Sequence, residues 1–223
     1  MEAIAELDTI VVGAEVPRRT LVVLLHGYAM TADDLAPFGR SLGIPALFLF
    51  PQGPLAAMPG GRAWWPIDAA ARAARQAGGP RDLADVVPHG LAVARGQLAR
   101  YIASCRERFR PERLVVGGFS QGGMLACDWL LHCAPPLDAL LLMSASRVNA
   151  ASWQIQRSRI GTLPVFVSHG RADADLSFAA GEQLRDFALD AGARVTWTPF
   201  DGGHELPLTV WRSVRKFLRP IVV

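Results

Sequence analysis

Apolar runs of four to seven residues recur along the chain, separated by longer stretches in which apolar side chains return with helical spacing. That alternation is what parallel strands joined by crossover helices require. The runs predict strands at Thr9–Val12, Leu21–Leu25, Ala46–Phe50, Leu114–Gly117, Ala139–Met143, Pro164–Ser168 and Arg194–Thr198. Helical periodicity predicts helices over Asp82–Phe109, with Pro88 starting or bending it, and over Gln121–Leu131, Phe178–Leu189 and Leu208–Leu218. Short strands that are apolar on both faces, flanked by such helices, make a doubly wound, mostly parallel sheet, and a sheet of that kind carries its chemistry at the carboxyl ends of its strands.

One stretch breaks the alternation. Residues 51–80 hold two Gly-Gly pairs, five prolines, the pair Trp64-Trp65 and an alanine- and arginine-rich middle. It is long for a strand-to-helix connection, and connections of that length are usually either functional covers or disordered, the aromatic pair favouring a cover. We therefore expect it to cover part of a substrate site. No repeat or linker divides the rest, so one domain over 1–223 is expected.

Composition narrows the class. A hydrophobic fraction of 51% against 19% charged residues supports a large core and excludes a disordered chain. No apolar run reaches about 18 residues, and the start, Met1-Glu2-Ala3-Ile4-Ala5-Glu6, is acidic where an export signal would be basic. Stable membrane insertion is not expected. Cys105, Cys127 and Cys133 are odd in number and lack Cys-x-x-Cys spacing, which argues against a disulfide framework or a zinc site and for a reducing, cytoplasmic setting. The formal charge of +3 comes from scattered arginines rather than a cluster, so nucleic-acid binding is not expected.

The sharpest chemical signal is Gly118-Phe119-Ser120-Gln121-Gly122, where a β-rich run enters and an apolar helix leaves. Glycines two positions either side of a serine permit a tight, strained turn that presents the hydroxyl at a helix N-terminus. Free N–H groups there favour a developing oxyanion, and the Gln121 N–H is the natural donor. A serine hydroxyl is a weak nucleophile at neutral pH and needs a base, which in turn needs an orienting acid. His204, in a Gly-rich turn between the last strand and the last helix, is the candidate base. His26 and His169 end strands and read as hydrogen-bonded structural residues, while His89 and His132 fall on predicted helices. Asp173, following the strand that ends at Ser168, is the candidate acid, with Asp175 left to cap the next helix. A second oxyanion donor is expected from the Tyr28 N–H, after the strand Leu21–Leu25. Met30, Trp64, Trp65 and Leu176 are candidate walls of the substrate pocket.

Six blocks in order, ending at Tyr28, Pro54, Trp65, Gly123, Asp173 and Glu205 (L-L-H-G-Y, F-P-Q-G-P, G-R-A-W-W, G-G-F-S-Q-G-G, S-H-G-R-A-D and G-G-H-E), together resemble the phospholipase/carboxylesterase family, which includes acyl-protein thioesterases and small bacterial carboxylesterases. The resemblance implies an α/β-hydrolase fold. It implies a triad at Ser120, Asp173 and His204, oxyanion donors at Tyr28 and Gln121, and no cofactor. The expected activity is hydrolysis of small or medium-chain esters or thioesters through an acyl-serine. Acyl-protein thioesterase or lysophospholipase-like action, peptide hydrolysis, or a non-catalytic binding module of the same fold stand as alternatives. A homodimer is compatible with the sequence. Leu176-Ser177, where the family often has Val-Pro, and the insertion after Asp68 depart from the family pattern and bear on substrate choice.

Overall fold

The computed structural model describes residues 1–13, 20–57 and 60–222. In chain order the elements are β1 (Glu2–Ile4), β2 (Leu7–Val12), β3 (Thr20–Leu25), α1 (Ala32–Ser41), β4 (Leu47–Pro51), β5 (Leu55–Ala57), β6 (Gly61–Ala63), α2 (Ala69–Gln76), α3 (Leu91–Phe109), β7 (Arg113–Phe119), α4 (Gln121–Cys133), β8 (Ala139–Met143), α5 (Ala150–Gln156), β9 (Pro164–Gly170), α6 (Phe178–Asp190), β10 (Arg194–Phe200) and α7 (Leu208–Val222). Eight strands form one sheet in the order β1-β2-β4-β3-β7-β8-β9-β10, and β5 pairs with β6 in a separate hairpin. From β4 through β10 every pairing in the large sheet is parallel, while β1 and β2 run antiparallel at one edge. This is the doubly wound sheet of the α/β-hydrolase fold.

Alternation along the central strands explains why both faces are covered. Leu21, Val23 and Leu25 of β3 join the core layer under α3, α4, α5 and α6, and Val22 and Leu24 point into the layer under α1 and α7. Side chains of successive strand residues face opposite ways, so an uninterrupted apolar run needs a helical layer on each side. All seven predicted strands are present, most of them a residue or two longer than their apolar runs.

Helix α3 starts at Leu91 rather than Asp82, a correction to the periodicity reading. Pro88 lacks an N–H and disfavours helical backbone before it, and Gly90 at φ 86° stands at the N-terminus of the helix. Residues 82–90 are instead a loop whose Ala84 and Val86 carbonyls accept the N–H groups of Ala150 and Asn149, each at 2.8 Å. His89 accordingly lies on that loop, not on a helix. Helix α1 was not predicted, although Thr31-Ala-Asp-Asp34 has the spacing of a capping box, and the Thr31 N–H donates to Asp34 Oδ2 at 2.7 Å. Helix α2 and the β5–β6 hairpin are also additional to the prediction. The segment 51–80 thus contains regular structure, with Met58 and Pro59 outside the described residues.

Helix α4 is buried from Gln121 to Leu131, and Asp128 fastens its far end. This carboxylate is fully buried, accepting the Trp153 indole N–H at 2.9 Å and an Arg95 N–H at 3.0 Å. Asp128→Ala would leave a buried indole N–H unpaired and strip Arg95 of its partner, a change expected to cost about 3 kcal/mol. A urea denaturation midpoint unchanged from wild type would contradict that role.

Candidate active site

The site forms where β3, β7, β9 and β10 end. Ser120 sits between β7 and α4 with φ 52° and ψ −117°, a positive-φ conformation that costs a non-glycine residue on the order of 1–3 kcal/mol. Its surroundings hold it there. The Ser120 N–H donates to Met143 O at 2.8 Å and its carbonyl accepts from Met124 N at 3.0 Å. Helix α4 approaches β3 so closely that a methyl group at Gly122 would overlap the Leu25 carbonyl oxygen, and one at Gly118 would come within 2.6 Å of the same atom. The two flanking glycines of the pentapeptide therefore serve a backbone-to-backbone contact.

The structure brings Ser120, His204 and Asp173 into one hydrogen-bonded row. The Ser120 hydroxyl donates to His204 Nε2 at 2.9 Å, and His204 Nδ1–H donates to Asp173 Oδ2 at 2.7 Å. His204 comes from the turn after β10 and packs on the Phe119 ring, with centroids 4.8 Å apart. Asp173 comes from the turn after β9, and its Oδ1 accepts the N–H groups of Asp175 and Leu176, both at 2.9 Å. Burial alone would push the Asp173 carboxyl up. Hydrogen bonds from His169 and His204, the His204 charge and the Leu176 N–H outweigh it and hold the group well below the usual carboxylate range. Such an arrangement can take a proton from a hydroxyl and stabilise the resulting imidazolium.

Tyr28, Ser120 and Gln121 border one cavity of about 230 Å³. The Gln121 N–H opens α4, where no intrahelical acceptor exists. Trp65 and Leu176 also line this cavity, together with Ile67, Arg72, Val86 and Met124. Met30 and Trp64 are corrections, because neither lines it. A β-bridge to Arg62 turns Met30 toward the layer under α1 and α7, while Trp64 is buried in the opposite layer. The Trp64 indole N–H donates to the His26 carbonyl at 2.8 Å.

Several polar contacts escaped the sequence reading. The Gln121 side chain clamps the Trp pair, its Oε1 accepting the Trp64 N–H at 2.9 Å and its Nε2 donating to Trp65 O at 3.0 Å. Asp175 does not cap α6; Ser177 does, accepting the Ala180 N–H at 3.1 Å. Asp175 instead takes the guanidinium groups of Arg72, at 2.7 Å, and Arg81, which together outweigh its burial and hold its carboxyl below the ordinary range. Arg72 also lies over the Tyr28 ring, 5.4 Å from its centroid, and so ties α2 to the cavity rim. Both arginines are ordinary in sequence, and only the fold places them on one carboxylate. Among the described residues no group of three or more His, Cys, Asp or Glu is arranged to hold a metal ion, and no helix is long and apolar enough to cross a membrane.

Comparison with known proteins gives consistent results. A family model described as phospholipase/carboxylesterase matches residues 7–222. Acyl-protein thioesterase 1 of Neurospora crassa is 27% identical over 111 residues, 48% of this chain and 45% of that protein. Putative hydrolase MhqD of Bacillus subtilis is 25% identical over 60% of this chain and 66% of its own. The match thus spans about half the length of the acyl-protein thioesterases, as also for that of Gibberella zeae. Among solved structures, esterase PE8 superposes with a TM-score of 0.80 at 25% identity, covering 97% of this chain and 99% of that one. Acyl-protein thioesterase 2 of Zea mays superposes with a TM-score of 0.78 at 19% identity, over 97% and 99% of the two chains, a likeness of fold.

The loop carrying Tyr28 depends on a histidine that must stay neutral. His26 Nδ1–H donates to Gly27 O at 2.7 Å while Nε2 accepts the Gly53 N–H at 2.8 Å. Burial lowers this imidazole from 6.5 to about 4. The unfolded chain therefore takes up a proton before the folded one, and His26 contributes stability that is complete above pH 6.5 and lost as the pH falls toward 4. Thermal melts between pH 7 and pH 4.5 should show Tm falling across that window. A flat Tm would contradict a neutral, doubly bonded His26.

Proposed function

Because the chain belongs to the phospholipase/carboxylesterase family, we propose that it is a serine carboxylesterase acting on small or medium-chain carboxylic esters through an acyl-serine. The observation that carries this reading is the row Ser120–His204–Asp173, joined by two hydrogen bonds. His204 Nε2 removes the Ser120 proton as the hydroxyl oxygen attacks the ester carbonyl. The N–H groups of Tyr28 and Gln121 receive the negative charge that develops on the carbonyl oxygen. Collapse expels the alcohol, which takes the proton from His204 and leaves Ser120 acylated. A water molecule deprotonated by His204 then releases the acid, and Asp173 holds the imidazole in one tautomer throughout.

The cavity supports the size class. At about 230 Å³ it lies below the roughly 300–1,000 Å³ of pockets that take drug-sized ligands. Residues 51–80, through Trp65, Ile67 and Arg72, act as its partial cover. An acyl thioester is the second reading, favoured by the sequence similarity to the Neurospora crassa protein. The same chemistry applies, with a thiol as leaving group. The exposed free thiol of Cys133 suits a reducing, cytoplasmic setting.

Ser120→Ala should lower turnover of p-nitrophenyl acetate on the order of 10⁶-fold with the fold intact by circular dichroism. Retention of near wild-type turnover would remove the serine mechanism. In a panel of p-nitrophenyl esters and acyl thioesters of graded length, kcat/KM should peak at short to medium chains. Trp65→Ala should move that peak to longer chains, and an unchanged profile would take Trp65 off the acyl wall.

A further inference from the structure

His169 plays no part in the mechanism above, yet it is fully buried beside the acid. It is the sixth residue of β9, on the same face as Val165 and Val167, and that face packs under α6. Its Nε2 lies 3.0 Å from Leu176 O and 3.3 Å from Asp173 Oδ2. A carbonyl and a carboxylate can only accept, so Nε2 carries the proton. Among the described residues Nδ1 has no hydrogen-bond partner. It faces Gly181 of α6, where a methyl group would overlap the imidazole. Leaving a buried ring nitrogen unpaired costs free energy, of order 1–3 kcal/mol, so the position is a poor choice for packing alone.

The two Nε2 contacts converge on one group. Leu176, whose carbonyl His169 holds, donates its own N–H to Asp173 Oδ1. His169 thus supports the carboxylate twice, directly at Oδ2 and through Leu176 at Oδ1. We infer that His169, as its Nε2–H tautomer, is a positioning residue that fixes the Asp173 carboxylate toward His204 and draws off part of its charge. This rests on the triad reading. Partners beyond the ring fall into two sets. Asp173 is faced by His204 Nδ1 and by the Asp175 N–H, and the Asp175 carboxylate, itself paired with Arg72 and Arg81, lies 3.9 Å from His204 Nε2. On the α6 side the ring meets Gly181 and, in a T-shaped pair, the ring of Phe178, over which Arg171 stacks.

Removing the His169 donor concentrates charge on the bond to His204 and frees the carboxylate to rotate. His169→Phe should lower kcat about tenfold, the lower end of what outer partners of a site contribute, with KM within about twofold of wild type. The acidic limb of the kcat/KM profile should move up by about half a pH unit, because a less shared carboxylate stabilises the imidazolium. His169→Gln, which can return an N–H near the Nε2 position, should recover most of both effects. Wild-type kcat and pH profile in a folded His169→Phe protein would overturn the inference, as would equal losses in the Phe and Gln variants. Should His169→Phe fail to fold, nitrogen NMR of 15N-histidine-labelled wild-type protein decides. A protonated Nε2 with a bare Nδ1 at His169 supports the assignment, and the opposite tautomer overturns it. Labelling of wild-type Ser120 by a fluorophosphonate separates the two levels. An unlabelled Ser120 would mean the triad reading fails, and labelling with an unaffected His169→Phe variant would mean that only this inference does.

Discussion

The turn at Ser120 is the constraint from which the rest of the site follows. A non-glycine residue at φ 52° does not remain there unaided. Here the aid is a central strand paired on both sides, a helix buried along nearly its whole length, and a glycine contact between that helix and the carbonyl of Leu25. Because β7 is flanked by β3 and β8, and α4 is held at its far end by Asp128, the serine has little freedom to relax into ordinary helical geometry.

Once that hydroxyl is placed, sheet geometry dictates how its partners arrive. Neighbouring strands are about 4.8 Å apart, so β10, three strands from β7, ends roughly 14 Å away, too far for a histidine on the strand itself. The turn after β10 folds back over the end of β9 instead, where Ala172 N donates to Gly202 O at 2.9 Å and Arg171 N to Phe200 O at 2.9 Å. Gly170 lets this turn lie against the end of β9, because a methyl group there would overlap the Gly202 and Gly203 carbonyl oxygens. A single bonded layer of two turns thus brings Asp173 and His204 together and aims them at the serine.

The cavity wall opposite is anchored in the core layer by Trp65 and Leu176, and polar contacts orient it. Gln121 binds both Trp64 and Trp65 through the backbone, His26 bridges Gly27 and Gly53, and Asp175 collects Arg72 and Arg81. Each of these groups belongs to, or adjoins, an element that also supplies the proposed chemistry.

The sequence by itself determined what local backbone physics demands. Runs apolar on both faces had to be buried strands, a serine between paired glycines after such a run had to turn sharply into a helix, and the order serine, aspartate, histidine marked the strand ends that carry them. Those features survive in one dimension because strain, glycine contacts and periodicity are properties of neighbouring residues. The tertiary structure decided what depends on distant partners. The start of α3 moved to Leu91 while residues 82–90 bonded to Asn149 and Ala150, Asp175 left its cap for two arginines 94 and 103 positions upstream, Trp64 turned into the core while Trp65 met the cavity, and His169 came to rest under Asp173. A hydrogen bond gains most where water is excluded, and which groups are excluded together is fixed only when the layers pack.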